Sequence, residues 1–298
     1  MDYLSIFEKL NLPYRENEIM ANHTTFKIGG PCDYFVEPYS CDEVKELITL
    51  LKENNLKYFI LGNGSNLLVS DLGIEGVVIK IGSNMSNMSV DNNLITVDAG
   101  ARLSALCSFA LENSLSGLQF AWGIPGTVGG AIYMNAGAYG SEIKNVIKSC
   151  TFLNEDGEIV TLSGDELELG YRDSIFKRNN GIILSATFEL GFGNKSEIRL
   201  EMDTLIARRK SKQPLEFPSA GSTFKRPEGN FAGTLIEAAG LKGCAIGGAE
   251  VSQKHAGFII NKGGATASDV RRLIEKVKET VFLSNSIKLE TEVIFIGR

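Results

Sequence analysis

The chain is poor in the side chains that bind metals. Its 298 residues include only two histidines and five cysteines, and no two cysteines have the C-x-x-C spacing of a zinc site. The odd number of cysteines also does not suggest a framework of paired disulfides. We therefore expect no metal site, and we expect the cysteines to be reduced.

The chain also lacks an excess of positive charge and a long apolar run. It has 30 lysine and arginine residues against 36 aspartate and glutamate residues, a formal net charge of −6, so no nucleic-acid-binding surface is expected. No apolar run approaches the roughly 18 residues that cross a bilayer, and Met1–Leu10 lacks a basic segment followed by an apolar one. These absences predict a cytoplasmic protein with no membrane span.

Glycine, in contrast, is concentrated in one segment. Residues 122–140, WGIPGTVGGAIYMNAGAYG, include six glycines, although each glycine in a regular element costs roughly 0.5–1 kcal/mol relative to alanine. Backbone without side chains is useful where the phosphates or the flat ring of a cofactor lie against main-chain N–H groups. The segment therefore indicates a cofactor site.

A second polar turn, LGNGSN at residues 61–66, follows a short apolar stretch. Glycine and asparagine tolerate positive φ, so the turn can present consecutive N–H groups to an anion. It is not a dinucleotide-binding fingerprint, because that motif needs a third glycine and then a helix, whereas Leu67 and Leu68 follow here. An ordinary hairpin turn is the alternative, but two such segments in one chain favour a phosphate site.

The hydrophobic periodicity predicts a mixture of helices and strands. Ser40 and Glu43 have the spacing of a helix start, and an apolar face follows them. We predict a first helix that begins at Ser40 and runs for about three to four turns. Further helices are predicted at 103–111, 196–210, 231–239 and 270–281, and strands at 58–61, 76–80, 94–98, 146–154, 158–162, 182–190, 257–261 and 287–296. A change in composition near residue 195 predicts that a larger glycine-rich α+β region precedes a smaller α+β domain.

Two short segments carry candidate catalytic residues. Arg172, in YRDS, could bind a carboxylate through two hydrogen bonds, or it could pair with Asp173 at the surface. Ser222, in AGSTFKRP, has no histidine close by in sequence, so donation of a proton suits it better than nucleophilic attack. A turn serine without a catalytic role is the alternative. For His23 and His255 a structural role is favoured.

The last predicted strand, IKLETEVIFIG, changes character along one of its faces. Lys288 and Glu290 are charged, whereas Ile294 and Ile296 on the same face are apolar, so a carboxylate near the change lies at the edge of a core. Such a carboxylate can act as an acid. Periodicity does not separate Glu290 from Glu292, and a solvated strand face is the alternative.

Seven segments of the chain, taken in order, resemble the motifs of one family. They are HTTFKIGG (23–30), LGNGSN (61–66), GIPGTVGGAIYMNAGAYG (123–140), YRDS (171–174), SAGSTFKRP (219–227), GGAEVSQKHAGFIIN (247–261) and LETEVIFIG (289–297). The segments are similar to those of the UDP-N-acetylenolpyruvoylglucosamine reductase family, and the resemblance covers nearly the whole chain.

The resemblance implies an α+β fold, in which a two-subdomain FAD-binding fold of the vanillyl-alcohol-oxidase (PCMH) type precedes a smaller C-terminal α+β substrate domain. It implies FAD-binding subdomain 1 at residues 1–85, FAD-binding subdomain 2 at 86–195 and the substrate-binding domain at 196–298. It also implies FAD bound non-covalently, NADPH as the reductant, and reduction of UDP-N-acetylglucosamine enolpyruvate to UDP-N-acetylmuramate in peptidoglycan synthesis.

The resemblance also assigns roles to residues by their positions in the motifs. Ser222 matches the family's proton donor, and Arg172 and Glu292 match the pair that stabilises the enolate-like intermediate, which selects Glu292 over Glu290. The residues expected to contact the UDP-sugar substrate are Tyr171, Lys212 and Lys225. The residues expected to bind FAD are Gly62, Asn63, Gly64, Ser65, Asn66, Pro125, Gly126, Thr127, Gly129, Gly130, Asn135, Ala136 and Gly137.

The chain departs from the family pattern in two places. Arg226 stands where other members have asparagine, so a contact through asparagine is not expected there. The sequence has no room for the tyrosine-bearing insertion of one subgroup and therefore resembles the shorter subgroup. Because no dinucleotide fingerprint is complete, NADPH is expected to enter the substrate's place, which gives ping-pong turnover. A monomer is expected.

Two other functions are compatible with parts of this pattern. A flavin oxidase of the same fold would normally attach its flavin through histidine or cysteine, and it would not need Arg172, Ser222 and Glu292 together. A catalytically silent protein that binds flavin or a nucleotide sugar would have lost at least one of these three residues. The chain retains all three, which favours the reductase.

Overall fold

The computed structural model describes residues 1–298. Seven α-helices are present: α1 (Tyr3–Lys9), α2 (Cys41–Glu53), α3 (Leu103–Glu112), α4 (Val128–Tyr133), α5 (Lys195–Lys212), α6 (Ala232–Ala238) and α7 (Ala267–Asn285). The strands are β1 (Tyr14–Ile19), β2 (Pro31–Val36), β3 (Tyr58–Leu61), β4 (Leu67–Val69), β5 (Ile74–Lys80), β6 (Met88–Asp91), β7 (Leu94–Asp98), β8 (Leu115–Ser116), β9 (Gly137–Ala138), β10 (Ser141–Glu142), β11 (Ile147–Leu153), β12 (Ile159–Ser163), β13 (Ile182–Glu189), β14 (Gly191–Phe192), β15 (Ala245–Ile246), β16 (Ala249–Val251), β17 (Ile259–Asn261) and β18 (Ile294–Ile296). No helix is both long enough and apolar enough to cross a bilayer.

The chain divides into two compact units, each built from segments that are distant in sequence. The first unit comprises residues 1–15, 35–63 and 76–208, and the second comprises 16–34, 64–75 and 209–298. This division differs from a simple succession of domains, because two early segments join the C-terminal residues. Strand β4 shows why, since it pairs in parallel with the C-terminal strand β18. The three-part division at residues 85 and 195 stays a prediction.

A five-stranded antiparallel sheet, in the order β12-β11-β13-β7-β6, organises the first unit. Alternation along β7 and β13 sets its buried face, because Val97 lies opposite Ala186, Ile95 lies opposite Phe188, and all four are buried. Helix α4 packs against β13 and β7. The glycine-rich segment that contains α4 is therefore attached to the centre of this sheet.

The second unit is built around helix α7 and the three-stranded antiparallel sheet β15-β16-β17. Thr266 caps the helix by accepting a hydrogen bond from the Asp269 N–H at 3.0 Å. The carboxylate of Asp71 accepts the next two free N–H groups, those of Ala267 at 2.7 Å and Ser268 at 3.0 Å. The buried stripe of the helix is the predicted one: Val270, Leu273, Ile274, Val277 and Val281.

A four-stranded sheet has the order β1-β2-β5-β3, in which β3 and β5 are parallel. Helix α2 lies between β2 and β3 in sequence, and its predicted start is confirmed, because the Ser40 hydroxyl accepts the Glu43 N–H at 3.2 Å. The Glu43 carboxylate accepts the N–H of Tyr39 at 2.8 Å. The predicted strands 58–61 and 94–98 match β3 and β7 at both ends.

The predicted strand at 287–296 is wrong in extent, because only Ile294–Ile296 forms a strand. Its earlier part instead meets the loop that carries Ser222 through a single bridge between Thr291 and Phe224. Two backbone hydrogen bonds flank this bridge, from Glu292 N–H to Thr223 and from Lys225 N–H to Glu290, each 2.9 Å long. Periodicity detected an extended segment but could not show that its partner was a loop.

Candidate active site

Within the first unit, the structure brings Gly62 and Asn63 of the first turn close to the glycine-rich segment. The side-chain amide of Asn63 donates to the carbonyl oxygen of Pro125 at 2.5 Å. A Cβ atom on Gly62 would lie 2.5 Å from the Thr127 hydroxyl oxygen, so only glycine permits this approach. The sequence predicted both turns for one cofactor, and this contact supports that prediction.

The N-terminus of α4 is already satisfied by protein groups. Thr127 caps it, with its hydroxyl 3.4 Å from the Gly130 N–H. The N–H groups of Val128 and Gly129 donate to the carbonyls of Ala101 and Ala99, both at 2.8 Å. These N–H groups are not available to phosphate. The glycines here serve close packing, since a Cβ on Gly129 would lie 3.0 Å from that of Ala99.

The turn at residues 62–65 offers a different set of donors. The N–H groups of Gly62, Asn63, Gly64 and Ser65 donate no hydrogen bond within the chain. In the second unit, Gly64 has φ +59° and its carbonyl accepts the Thr25 N–H. Unpaired backbone donors in a polar turn fit the negatively charged phosphates of a dinucleotide such as FAD. These residues therefore have the chemistry to hold that part of the cofactor.

Arg172 lies at the tip of a tight turn in the first unit. Gly170 and Asp173 exchange backbone hydrogen bonds of 3.0 and 3.2 Å, and Arg172 has φ +55°. The guanidinium of Arg172 lies 5.1 Å from the centroid of the Tyr171 ring. Tyr171, a predicted substrate contact, is 53% exposed, and Arg172 is half-buried.

The sequence left open a surface ion pair between Arg172 and Asp173, but in the structure Asp173 pairs with Arg178. Arg178 donates to the Asp173 carboxylate at 2.6 Å. Burial acts to raise the pKa of Asp173, but the hydrogen bonds from Arg178 and from the Ser174 N–H outweigh it and lower that pKa. Arg178 was not singled out in the sequence, because nothing in the spacing distinguishes it from a surface arginine.

Asn135, Ala136 and Gly137 follow α4 and are held by the protein itself. Asn135 is fully buried, and its amide group donates to the Gly170 carbonyl at 2.8 Å. The Ala136 N–H donates to the carbonyl of Ala131 at 2.8 Å, and Gly137 pairs with Glu142 in the β9–β10 hairpin. Contacts of these three residues with FAD stay a prediction.

Ser222 and Glu292 belong to neighbouring segments of the second unit. Ser222 is exposed and Glu292 is half-buried, and the backbone of Glu292 is bonded to Thr223, the residue after Ser222. Asn66, a predicted FAD contact, donates through its amide to the Glu292 carbonyl at 3.1 Å. One predicted cofactor residue is thus bonded directly to a predicted catalytic residue.

Thr223 supports the Ser222 loop, a structural role that the sequence did not reveal. It is 1% exposed, its N–H donates to Gly257 at 2.8 Å, and its hydroxyl accepts the Ile259 N–H at 3.0 Å. These bonds hold the Ser222 loop against β17. A threonine in a loop gives no sign of such contacts, which depend on residues more than thirty positions away.

The two predicted substrate lysines differ in their surroundings. The Lys225 ammonium lies 3.1 Å from the Glu290 carboxylate, so Glu290 has a partner on the surface. Lys212 is exposed at the end of α5. The structure therefore separates the two carboxylates that periodicity left open: Glu290 is exposed and paired with Lys225, whereas Glu292 is half-buried.

Four of the five cysteines are poor candidates for covalent attachment of a flavin, and His23 is engaged by a carboxylate. Burial raises the pKa of Cys32 to about 11 and of Cys107 to about 12, and it also raises the pKa values of Cys41 and Cys150. These thiols are protonated at neutral pH and are poor nucleophiles. His23 binds the Glu18 carboxylate at 2.7 Å.

His255 is a structural histidine, as favoured from the sequence. Its Nδ1 accepts the Gly257 N–H at 3.1 Å, and its ring lies edge-on to Phe258, with ring centroids 5.0 Å apart. Burial lowers the pKa of His255.

Comparison with known proteins assigns this fold and site to a class. A family model described as "FAD binding domain" matches residues 32–163. A solved variant of Phl p 4, a glucose oxidase, shares the fold with a TM-score of 0.51 at 14% identity, covering 65% of this chain and 45% of that one. The chain is an FAD-binding protein whose α+β fold is of the vanillyl-alcohol-oxidase type, as predicted.

More similar relatives define the family. A family model described as "UDP-N-acetylenolpyruvoylglucosamine reductase, C-terminal domain" matches residues 213–296. The UDP-N-acetylenolpyruvoylglucosamine reductase of Clostridium novyi (strain NT) is 52% identical over 98% of this chain and 94% of its own length. That of Agathobacter rectalis is 51% identical over 98% and 97%.

A crystal structure of this reductase from Thermus caldophilus has a TM-score of 0.82 at 34% identity, with 95% of this chain and 98% of that chain covered. The chain belongs to the UDP-N-acetylenolpyruvoylglucosamine reductase family. It is an FAD-dependent oxidoreductase of the family that acts in peptidoglycan synthesis, and FAD is its cofactor.

Proposed function

We propose that the chain reduces UDP-N-acetylglucosamine enolpyruvate to UDP-N-acetylmuramate with NADPH as the reductant. The observation that carries the proposal is the 52% identity to a reductase of that name over 98% of the chain, together with the retention of Arg172, Ser222 and Glu292. FAD would be held by the turn at residues 62–66 and by the glycine-rich segment around Pro125–Thr127. When bound, it supplies the hydride, from N5 of its ring.

The protein groups act on the charge that hydride addition creates. Hydride reaches the methylene carbon of the enolpyruvyl group, and negative charge develops on the neighbouring carbon and on the carboxylate conjugated with it. The guanidinium of Arg172 and the carboxyl group of Glu292, acting as hydrogen-bond donors to the carboxylate oxygens, stabilise that charge. Their contribution grows as the charge develops, so they favour the transition state over the substrate.

The Ser222 hydroxyl completes the addition by giving its proton to the neighbouring carbon. A serine hydroxyl is a weak acid, so the step needs a basic, enolate-like carbon and the exclusion of competing water. The Ser222 side chain is exposed in the chain alone and has no protein hydrogen-bond partner. Its hydroxyl is therefore available to a ligand, and the bound substrate itself would cover it.

We propose that NADPH and the UDP-sugar substrate bind alternately at the same site. The chain carries no complete dinucleotide fingerprint that could form a separate NADPH module. Alternate occupation predicts ping-pong kinetics, with parallel lines in double-reciprocal plots. The protein is proposed to act as a cytoplasmic monomer of the shorter subgroup.

Anaerobic single turnover tests the proposal. The flavin of the purified holoenzyme is bleached with one equivalent of NADPH, and UDP-N-acetylglucosamine enolpyruvate is then added. Rapid return of the flavin absorbance, with stoichiometric UDP-N-acetylmuramate, is the expected result. Bleaching without substrate-dependent return would overturn the substrate assignment. Rapid return on admitting oxygen alone would instead indicate a flavin oxidase, and a protein that binds FAD without either reaction would be a silent binder.

A further inference from the structure

The turn that carries Arg172 holds this arginine in a conformation that arginine seldom adopts. Gly170 and Asp173 close the turn by their two reciprocal backbone hydrogen bonds, and Arg172 has φ +55°. A bulky residue in the left-handed region is uncommon, and such strain persists only where surrounding contacts hold it. The contacts around the turn are therefore informative.

Three side chains hold the turn from outside. The Asn135 amide donates to the Gly170 carbonyl at 2.8 Å, and the Ser174 hydroxyl donates to the carbonyl of Tyr133, also at 2.8 Å. The Lys177 ammonium donates to the carbonyl of Arg172 itself at 2.5 Å. Asn135 and Tyr133 both belong to the glycine-rich segment, at the end of α4. That segment thus fixes both ends of the arginine turn.

Both polar atoms of the Asn135 side-chain amide make hydrogen bonds to the backbone. It is 0% exposed, its φ is +40°, and its Oδ1 accepts the Lys144 N–H at 2.9 Å. A backbone N–H can only donate, so this bond fixes which end of the amide is the oxygen. The nitrogen end must then point at Gly170. Both polar ends of the buried side chain are therefore engaged by the backbone of the protein itself.

We propose that Asn135 is a positioning residue that holds the guanidinium of Arg172 in its working orientation, through the carbonyl of Gly170. This proposal rests on the proposed function of Arg172. The glycine-rich segment would then have a second role besides its proposed cofactor binding, because the turn after α4 sets the geometry of the Arg172 side chain. A misplacement of about 1 Å can cost on the order of a hundredfold in rate.

A double-mutant cycle with Asn135→Asp and Arg172→Ala tests the proposal. Aspartate keeps the acceptor for the Lys144 N–H and tolerates positive φ, but it presents an oxygen to the Gly170 carbonyl. Two rates are measured in each holoenzyme: bleaching of the flavin by NADPH, and its return on adding the enolpyruvyl substrate. Asn93→Asp is the matched control, since Asn93 donates in the same way to the Leu190 carbonyl at 3.0 Å.

We expect Asn135→Asp to slow the substrate-dependent return by roughly tenfold to a hundredfold. This loss is measured relative to bleaching by NADPH in the same variant, which corrects for any change in the flavin site. In the Arg172→Ala background the same substitution should have no further effect, because the residue through which it acts is gone. Asn93→Asp should change neither rate. An equal loss in both backgrounds would overturn the positioning role.

Two further outcomes are distinguishable. If Arg172→Ala leaves the return of absorbance unchanged, the proposed function of Arg172 fails before Asn135 is considered. Asn135→Gly removes the whole amide without strain at positive φ and serves as the second variant. If both Asn135 variants fail to yield folded, flavin-binding protein, the amide is required by the fold itself and the positioning role is rejected.

Discussion

The backbone N–H of Glu292 donates a 2.9 Å hydrogen bond to the carbonyl oxygen of Thr223. Because Thr223 directly follows Ser222, this bond joins the loop of the proposed proton donor to the backbone of Glu292, the proposed charge-stabilising residue. It lies beside the single bridge between Phe224 and Thr291. The spacing of the two catalytic segments in this unit is therefore set by main-chain geometry, which side-chain substitution at either position leaves intact.

Replacement of Ser222 by alanine should abolish proton donation without affecting the flavin's reduction. We expect the substrate-dependent return of flavin absorbance to slow by about 10³-fold, within the usual range for loss of a general acid, while bleaching by NADPH is retained. Stopped-flow absorbance measures both steps. Ser268→Ala, at an exposed serine of the same unit, is the control. Equal rates in the Ser222 variant and the control would exclude Ser222 as the donor.

The two carboxylates of the last segment should respond differently to removal. Glu292→Ala should lower kcat by about 10²–10³-fold, the size of effect expected for a charge-stabilising donor. Glu290→Ala should stay within about threefold, because Glu290 is exposed and pairs with Lys225. Steady-state kinetics on both variants make the comparison. A larger effect at Glu290 would show that the family match has selected the wrong carboxylate.

Thr223 should matter for stability through its buried hydroxyl. Thr223→Val removes the acceptor of the Ile259 N–H and leaves that donor unsatisfied, at a cost of about 1–3 kcal/mol. Thr223→Ser keeps the hydroxyl and should lower the free energy of unfolding by less than Thr223→Val does. Urea unfolding of the three proteins measures the differences in free energy of unfolding. If the Thr223→Val variant and the wild type unfold at the same urea concentration, the hydrogen bond does not contribute to stability.

Gly62→Ala should weaken FAD binding by forcing the two glycine-bearing turns apart. The new Cβ would lie 2.5 Å from the Thr127 hydroxyl oxygen and 3.8 Å from its Cβ. Removing that hydroxyl in a Gly62→Ala, Thr127→Ala double variant should recover part of the affinity. Fluorescence titration of apoprotein with FAD measures the dissociation constants. Gly191→Ala is the control, since its Cβ would have a 3.9 Å contact. Unchanged affinity of the Gly62→Ala variant for FAD would show that the contact between Gly62 and Thr127 does not affect FAD binding.

His255 should make the protein less stable in mild acid. Burial lowers its pKa from 6.5 in the folded state, so the unfolded chain binds a proton more readily than the folded one. The contribution of His255 to stability is full above pH 6.5 and is lost as the pH falls through the folded-state value. His255→Asn keeps an acceptor for the Gly257 N–H and should flatten this dependence. Urea midpoints of both proteins at pH 7 and pH 5 test this prediction. The same change in midpoint between the two pH values in both proteins would exclude His255 as the cause.

Local features of the fold were predictable because they depend on neighbouring residues. Helix α2 follows from the Ser40 cap and a 3.6-residue apolar period, and β7 follows from alternation over five residues. Strand β4 and the bridge between Phe224 and Thr291 were not predictable. Each depends on a partner segment far away in sequence, and no local pattern identifies that partner.

The sequence by itself determined the family, the three candidate catalytic residues and most helices, because these depend on residue identities and on short-range periodicity. Tertiary structure alone decided that Glu292 is half-buried while Glu290 pairs with Lys225, that Thr223 anchors the Ser222 loop, and that Asn135 is bonded to the turn of Arg172. The physical reason is common to all three. Burial and hydrogen-bond partners are properties of segments brought together from distant parts of the chain.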